Sequence, residues 1–446
     1  MLIIIIFSLF KVKPWKNAQQ DQALINWDII SYYSYLPALF IHNDIQLKFI
    51  NNDTIDYKSN RQFWPETSPN GGKVIKTTMG MSLLYSPFFI IGHTYAKLSN
   101  KYESNGFSKP YEFFLTLSSF FYFIIGLHYL RKTLIKLFSE TVTSITIISI
   151  VLGTNLCYYL TIEPCMSHAY SFSLISTFIY FTIKWFDSPK IKFAIILGIL
   201  AGLIILIRPV NILILIFPIL YQSNLLKNTT TLIFKNLSHI FLAGLIIIIL
   251  CFPQLLYWKI ITGNWFFNSY IGETFYFNNP HIIDFLFSYR NGWLLYTPIM
   301  SFSLLGIILL YFQQKKYFFP LIVFTTLNIY ILSSWWCWWY GGSFGMRTMI
   351  DSYAILAIPF GLSISWILKQ KKIIKYFIFI LLINFIYLNN FQITQRKNSL
   401  IHYDSMTKAS YWMTFGKKYM KSEAEWKIFE KKLQSPDYEK AKQGIN

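Results

Sequence analysis

Apolar residues fall along this chain in repeated blocks of roughly bilayer-spanning length, separated by short connections rich in lysine and arginine. Blocks at about 111–130, 141–158, 169–186, 192–207, 211–224, 238–258, 293–312, 319–336, 350–368 and 374–390 predict helices that cross a membrane. Residues 1–10 are apolar over about half the necessary length and predict a short first helix, which brings the expected count to about eleven spans. Residues 11–78 are polar, with Pro65, Pro69, Gly71 and Gly72 marking turns. The block at 79–96 is apolar but interrupted by Pro87 and Gly92.

Charge sets the direction of these blocks. Basic connections at Arg131–Lys136, Lys184–Lys192, Lys227–Lys235, Lys315–Lys316 and Lys369–Lys375 belong on the cytoplasmic side by the positive-inside rule. If 111–130 runs inward, residues 11–110 form a long first outer loop, and 79–96 becomes a re-entrant or juxtamembrane helix. The expected organisation is an all-α polytopic membrane domain over 1–390 followed by a polar, amphipathic tail over 391–446. In that tail Trp426, Ile428, Phe429 and Leu433 make an apolar stripe near helical spacing.

Composition agrees. The chain has 446 residues, 54% hydrophobic and 20% aromatic, and only 13% are charged. Its formal net charge of +20 would suit a nucleic-acid binder, but the cations cluster between apolar blocks and in the tail, where topology and anionic lipid account for them. No nucleic-acid partner is expected. Cys157, Cys165, Cys251 and Cys337 have no paired spacing, so neither a zinc site nor a disulfide framework is implied; Cys157 and Cys165 could approach each other near one membrane face, and two buried free thiols are the expectation.

The expected outer turns at 159–168, 208–210, 259–292 and 337–349 hold Glu163, His168, Arg208, Glu273, Arg290 and Arg347. Charges at mid-bilayer cost about 2.5–3.5 kcal/mol each on insertion scales, so such residues sit at membrane ends, in cavities or in pairs. Taken singly, each reads as a snorkelling side chain or a helix cap; six on one side suggest a polar cavity opening outward. Asp28 stands in the aromatic stretch Asn26–Asp44, either as the cap of a following helix or as an acid turned to water, and Tyr32, Tyr33 and Tyr35 follow it. Those tyrosines suit an interfacial role or stacking on a ligand ring.

Ser333–Asp351 reads Ser-Ser-Trp-Trp-Cys-Trp-Trp-Tyr-Gly-Gly-Ser-Phe-Gly-Met-Arg-Thr-Met-Ile-Asp. Its four tryptophans and tyrosine predict an interfacial belt, and the glycines before Arg347 predict a turn able to hold a phosphate. This run, together with Phe287–Pro298, Leu206–Asn211, Lys76–Pro87 and His402–Trp412, resembles bacterial membrane glycosyltransferases of the C type (GT-C), relatives of the protein mannosyltransferases and of aminoarabinose transferase. The likeness is to members from Bacteroidetes-like bacteria and covers nearly the whole chain.

The resemblance implies transfer of a sugar from a polyprenyl-phosphate donor to a lipid or glycan acceptor of the envelope, at the outer face of the inner membrane. In that family an acid of the first outer loop is the catalytic base, and Asp28 occupies the matching position, with Asp21 as a fallback. A lysine later in the loop contacts the lipid phosphate in aminoarabinose transferase; it matches Lys76, although Thr77 stands where that pattern has proline. Asp28 has no acidic neighbour, unlike many relatives, which leaves use of a divalent cation open.

The chemistry asks for the same groups. Displacing a lipid phosphate from an anomeric carbon needs a base for the acceptor hydroxyl and cations for the leaving phosphate. Asp28 is the candidate base, and Lys76, Arg290 and Arg347 are the candidate phosphate clamp. Tyr33, Glu163, His168, Arg208 and Glu273 are candidates for positioning substrate. The alternatives are a flippase for polyprenyl-linked sugars, or an envelope-assembly protein that kept the fold without the activity. A transporter would show internal repeats with ionisable groups at mid-span, and neither is apparent.

Overall fold

Helices dominate the computed structural model, which describes residues 1–17, 23–51, 61–221 and 226–445; Asp21 lies outside the described residues. The N-terminal part holds α1 (Leu2–Val12), α2 (Trp27–Tyr33), α3 (Tyr35–Phe40) and a two-stranded antiparallel hairpin, β1 (Glu66–Thr67) with β2 (Lys73–Val74). Next come α4 (Gly80–Leu98), α5 (Lys109–Leu134), α6 (Glu140–Gly153), α7 (Leu156–Thr161), α8 (Ser167–Asp187) and α9 (Ile191–Ile207). They are followed by α10 (Ile216–Leu220), α11 (Leu226–Lys235), α12 (Leu237–Thr262), α13 (Ile282–Phe287), α14 (Trp293–Tyr296), α15 (Ser301–Gln313) and α16 (Lys315–Ser333). The C-terminal part holds α17 (Tyr353–Leu368), α18 (Lys372–Lys397), α19 (Lys408–Thr414), α20 (Glu423–Glu430) and α21 (Tyr438–Lys442).

Among the described residues, five helices are long and apolar enough to cross a membrane: Lys109–Leu134, Leu237–Thr262, Lys315–Ser333, Arg347–Leu368 and Lys372–Lys397. The chain is a helical membrane protein. Several expected spans are divided by local chemistry. The block at 141–158 breaks after Gly153, where the Asn155 amide donates to Phe344 O at 3.1 Å and its carbonyl accepts from the Tyr353 hydroxyl at 2.9 Å. The block at 293–312 breaks at Pro298, which lacks the N–H that would continue the helix. Conversely, Pro87 and Gly92 do not interrupt α4, which runs unbroken through both.

Arg347–Leu368 is the inner member of the bundle. Nearly all of its apolar window is buried, whereas α12 and α18 leave most of theirs exposed and so present the surface that lipid covers. It packs against α6, α8 and α15. Gly306 lets α15 approach closely: a methyl group there would stand 1.8 Å from the Pro359 carbonyl oxygen.

A buried ion pair ties the first loop down. Arg61 Nη1 lies 3.3 Å from Glu112 Oε1 in the first turn of α5, and Ile25 N donates to the same oxygen at 3.2 Å. The neighbouring Asn26, rather than Asp28, caps α2, its side-chain oxygen accepting from Trp27 N at 2.9 Å. That leaves the Asp28 carboxylate free of a capping role.

The tryptophan run departs from the expected lipid-facing belt. Trp336, Trp338 and Trp339 are buried, because the C-terminal segment folds back over them. Tyr438 packs on Trp336 and Trp339 with ring centroids 6.1 and 5.6 Å away, and the Tyr276 hydroxyl donates to Lys442 O. Helix α18 also passes the expected boundary at 390 and ends at Lys397, so the tail proper starts later. Within it Phe429 is buried and Trp426 and Leu433 pack beside it, while Ile428 stays exposed.

Candidate functional site

Asp28 enters the site because α2 starts at its cap, Asn26, and places Asp28 in the first turn, against the start of Arg347–Leu368. Its Oδ2 lies 2.8 Å from Arg347 Nη1. The Asp28 side chain is 44% exposed and that of Arg347 16%, so the carboxylate meets water while the guanidinium is largely covered. The run before Arg347 can turn tightly: Tyr340, Gly341 and Gly345 all adopt positive φ, at 58°, 60° and 59°.

Three further groups gather around this pair. Tyr32 interacts electrostatically with Asp28, Arg208 and Arg347, and burial followed by the Asp28 charge raises its phenol above the usual value. Tyr270 is also raised, by burial first and then by Tyr32 and Asp28. Both are therefore neutral hydrogen-bond donors at neutral pH. Glu163, which accepts from the Tyr158 hydroxyl at 2.7 Å, also lies within the electrostatic reach of Arg347.

Lys76 approaches from the first loop beyond the hairpin. Its ammonium pairs with Glu273, lies 3.9 Å from Glu66 and stands 5.1 Å above the Tyr270 ring. Tyr270 lies within electrostatic reach of both Glu273 and Asp28.

Beneath the pair is a buried network that sequence reasoning did not single out. Asp351 accepts from Asn211 at 2.9 Å, meets His168 Nδ1 at 3.0 Å and lies 3.3 Å from Arg208 Nη1. A buried carboxylate with three polar partners on two other segments, α8 and the turn that follows α9, fixes where Arg208 and His168 stand. The signal available beforehand was an acid at the head of an apolar block, which inside a membrane protein marks a polar site.

Two expected site residues lie elsewhere. Tyr33 is fully buried, donates its hydroxyl to Gly106 O and packs among Tyr85, Phe89 and Phe107. It is a core residue, and its neighbour Tyr32 is the tyrosine that faces Asp28. Arg290 does not join Lys76 and Arg347: it lies 5.4 Å over the Trp339 ring and donates to Gln434 O at 2.8 Å.

Cys157, Cys165 and Cys337 are buried free thiols and Cys251 is a partly buried one. Among the described residues no group of three or more His, Cys, Asp or Glu side chains is placed to hold a metal ion. Comparisons with protein-family models, with curated proteins and with solved structures find no match to this chain.

Proposed function

We propose that this protein is a glycosyltransferase that moves a sugar from a polyprenyl-phosphate donor to an envelope acceptor, with its site at the outer face of the inner membrane and about eleven helical segments crossing the bilayer. The observation that carries the reading is the Asp28–Arg347 pair at 2.8 Å, a half-exposed carboxylate beside a largely covered guanidinium, with Lys76 over the ring of Tyr270, which lies within electrostatic reach of Asp28.

The acceptor hydroxyl oxygen attacks the anomeric carbon as the carbon–oxygen bond to the lipid phosphate breaks. The hydroxyl proton passes to Asp28, and the phosphate leaves against Lys76 and Arg347. Attack opposite the phosphate inverts the anomeric centre. Arg208 and His168, held by Asp351, position the substrate from below, and Glu163 and Glu273 orient Arg347 and Lys76.

Transfer from radiolabelled polyprenyl-phosphate sugars in membrane extracts tests this, with wild type and Asp28→Asn compared at matched expression. Loss of transfer in Asp28→Asn supports the assignment, and the label consumed identifies the donor. Equal transfer in both removes Asp28 from the mechanism, and no transfer by wild type from any donor favours a flippase. Reporter fusions in the 369–371 connection and after the tail test the topology, which requires opposite sides for the two.

A further inference from the structure

Three ammonium groups converge on one ring where α5 ends. Lys132, in the last turn of α5, and Lys136, just beyond it, each place Nζ 5.8 Å from the centroid of Tyr180. Lys184, one turn after Tyr180 on α8, stands 5.9 Å from the same centroid. Lys132 also lies 5.6 Å over Tyr129, whose ring packs 5.2 Å from that of Tyr180. A single lysine at a helix C-terminus is ordinary, because it complements the last carbonyls. Three from two helices around one phenol repel one another, and the ring has only two faces to offer them.

Acids answer only part of this charge. Asp187 pairs with Lys136 at 2.8 Å, and Glu140 pairs with the neighbouring Arg131 at 2.6 Å. Among the described residues Lys132 and Lys184 have no carboxylate oxygen within 4.0 Å, and the Tyr129 and Tyr180 hydroxyls make no hydrogen bond. The surface beside them is apolar. Leu117, Phe121 and Ile124 are exposed at helical spacing along α5, and exposed His128 continues their line to Lys132 on the same face. Since α5 is long and apolar enough to cross a membrane, that stripe faces acyl chains. The helix rises roughly 17 Å from Phe121 to Lys132, close to the depth of one leaflet's hydrocarbon.

We propose that this end of α5 and α8 holds one phospholipid of net negative charge, its phosphate between Lys132 and Lys184 beside Tyr180 and an acyl chain along Ile124, Phe121 and Leu117. The phosphodiester accepts from both ammonium groups and from the phenol. A choline or ethanolamine head group brings a further cation to a cluster already in excess, whereas a glycerol head group does not, so charge selects the anionic class. On the topology proposed above the lipid belongs to the cytoplasmic leaflet. The site rests on α5 crossing a membrane and not on the transfer reaction.

The test is native mass spectrometry of the purified full chain in detergent, titrated with phosphatidylglycerol or phosphatidylcholine of the same acyl chains. Retention of one phosphatidylglycerol in preference to phosphatidylcholine is expected. The double variant Lys132→Gln/Lys184→Gln should weaken that retention about thirtyfold, the effect of two lysines at a charged lipid surface. Lys132→Arg/Lys184→Arg, which keeps the charge, should restore it. Lys371→Gln/Lys372→Gln makes the same charge change at another, exposed basic connection and should bind as wild type does. Asp28→Asn should also bind as wild type does, so failure of the transfer reading leaves this one standing. Unfolding midpoints without lipid should agree among the variants, which separates lost binding from lost folding. Equal retention of the two lipids, an unchanged Lys132→Gln/Lys184→Gln, an equal loss in Lys371→Gln/Lys372→Gln, or displacement of the lipid by millimolar inorganic phosphate would each overturn the proposal.

Discussion

Asp28 and Arg347 join the first loop to the head of the innermost helix across a 2.8 Å contact. The carboxylate is half exposed and the guanidinium largely covered, and Asp28→Asn keeps an oxygen that can accept from Arg347, so loss of the charge should be felt in chemistry more than in folding. Asp28→Asn is expected to lower transfer by about 100- to 10,000-fold, the usual worth of a general base. Its thermal midpoint in detergent should match wild type, and a large drop in midpoint would make Asp28 a structural residue.

Asp351 should behave in the opposite way. Its carboxylate is buried between Arg208, His168 and Asn211, so Asp351→Ala strands a cation and is expected to cost about 3–5 kcal/mol of stability. Chemical unfolding in detergent measures this. A loss within the error of the measurement would mean that the network relaxes around the missing acid.

Gly306→Ala tests the close approach of α15 to α17. The added methyl meets the Pro359 carbonyl oxygen, which is backbone and cannot swing aside. Overpacking of this kind costs about 1–3 kcal/mol, read as a lower unfolding midpoint. Gly244→Ala, where nothing stands within 4 Å of the new methyl, is the control and should stay near wild type.

The C-terminal segment should carry a pH dependence through Asp404. Burial alone would raise this carboxyl, but hydrogen bonds from His402, Tyr438 and Ser405 outweigh burial and hold it below the usual aspartate value. A carboxyl depressed on folding adds stability above its unfolded value, and that stability is lost as pH falls through the lower folded value. Tryptophan fluorescence should therefore hold steady from neutral pH down to about 4, the unfolded aspartate value, and change only below it. Asp404→Asn should remove the acid-side transition.

Much of this was legible in the sequence, because hydropathy and charge are one-dimensional signals. The helical blocks, the long first loop and the residues Asp28, Lys76, Glu163, His168, Arg208, Glu273 and Arg347 could all be picked out one at a time. What could not be read was pairing. Nothing along the chain says that Asp351 receives Asn211 and Arg208, or that Arg61 reaches Glu112. Tyr32 and Tyr33 are adjacent, and only the helix rotation set by Asn26 decides which faces the site. The tryptophans misled for a related reason: Trp is at home both in an interface with lipid and under a protein cover. The covering segment, carrying Tyr438, lies far along the chain from them.

That cover also imposes an order in time. Residues 434–442 are synthesised after every membrane helix described here, yet they close over Trp336 and Trp339, in the same run that leads to Arg347. A nascent chain halted before them would already be inserted while its tryptophans lay bare to quality-control proteases. Burial of the tryptophans would then wait for residues 434–442, and a truncation before residue 434 should appear as rapid turnover of an inserted protein rather than as failed insertion.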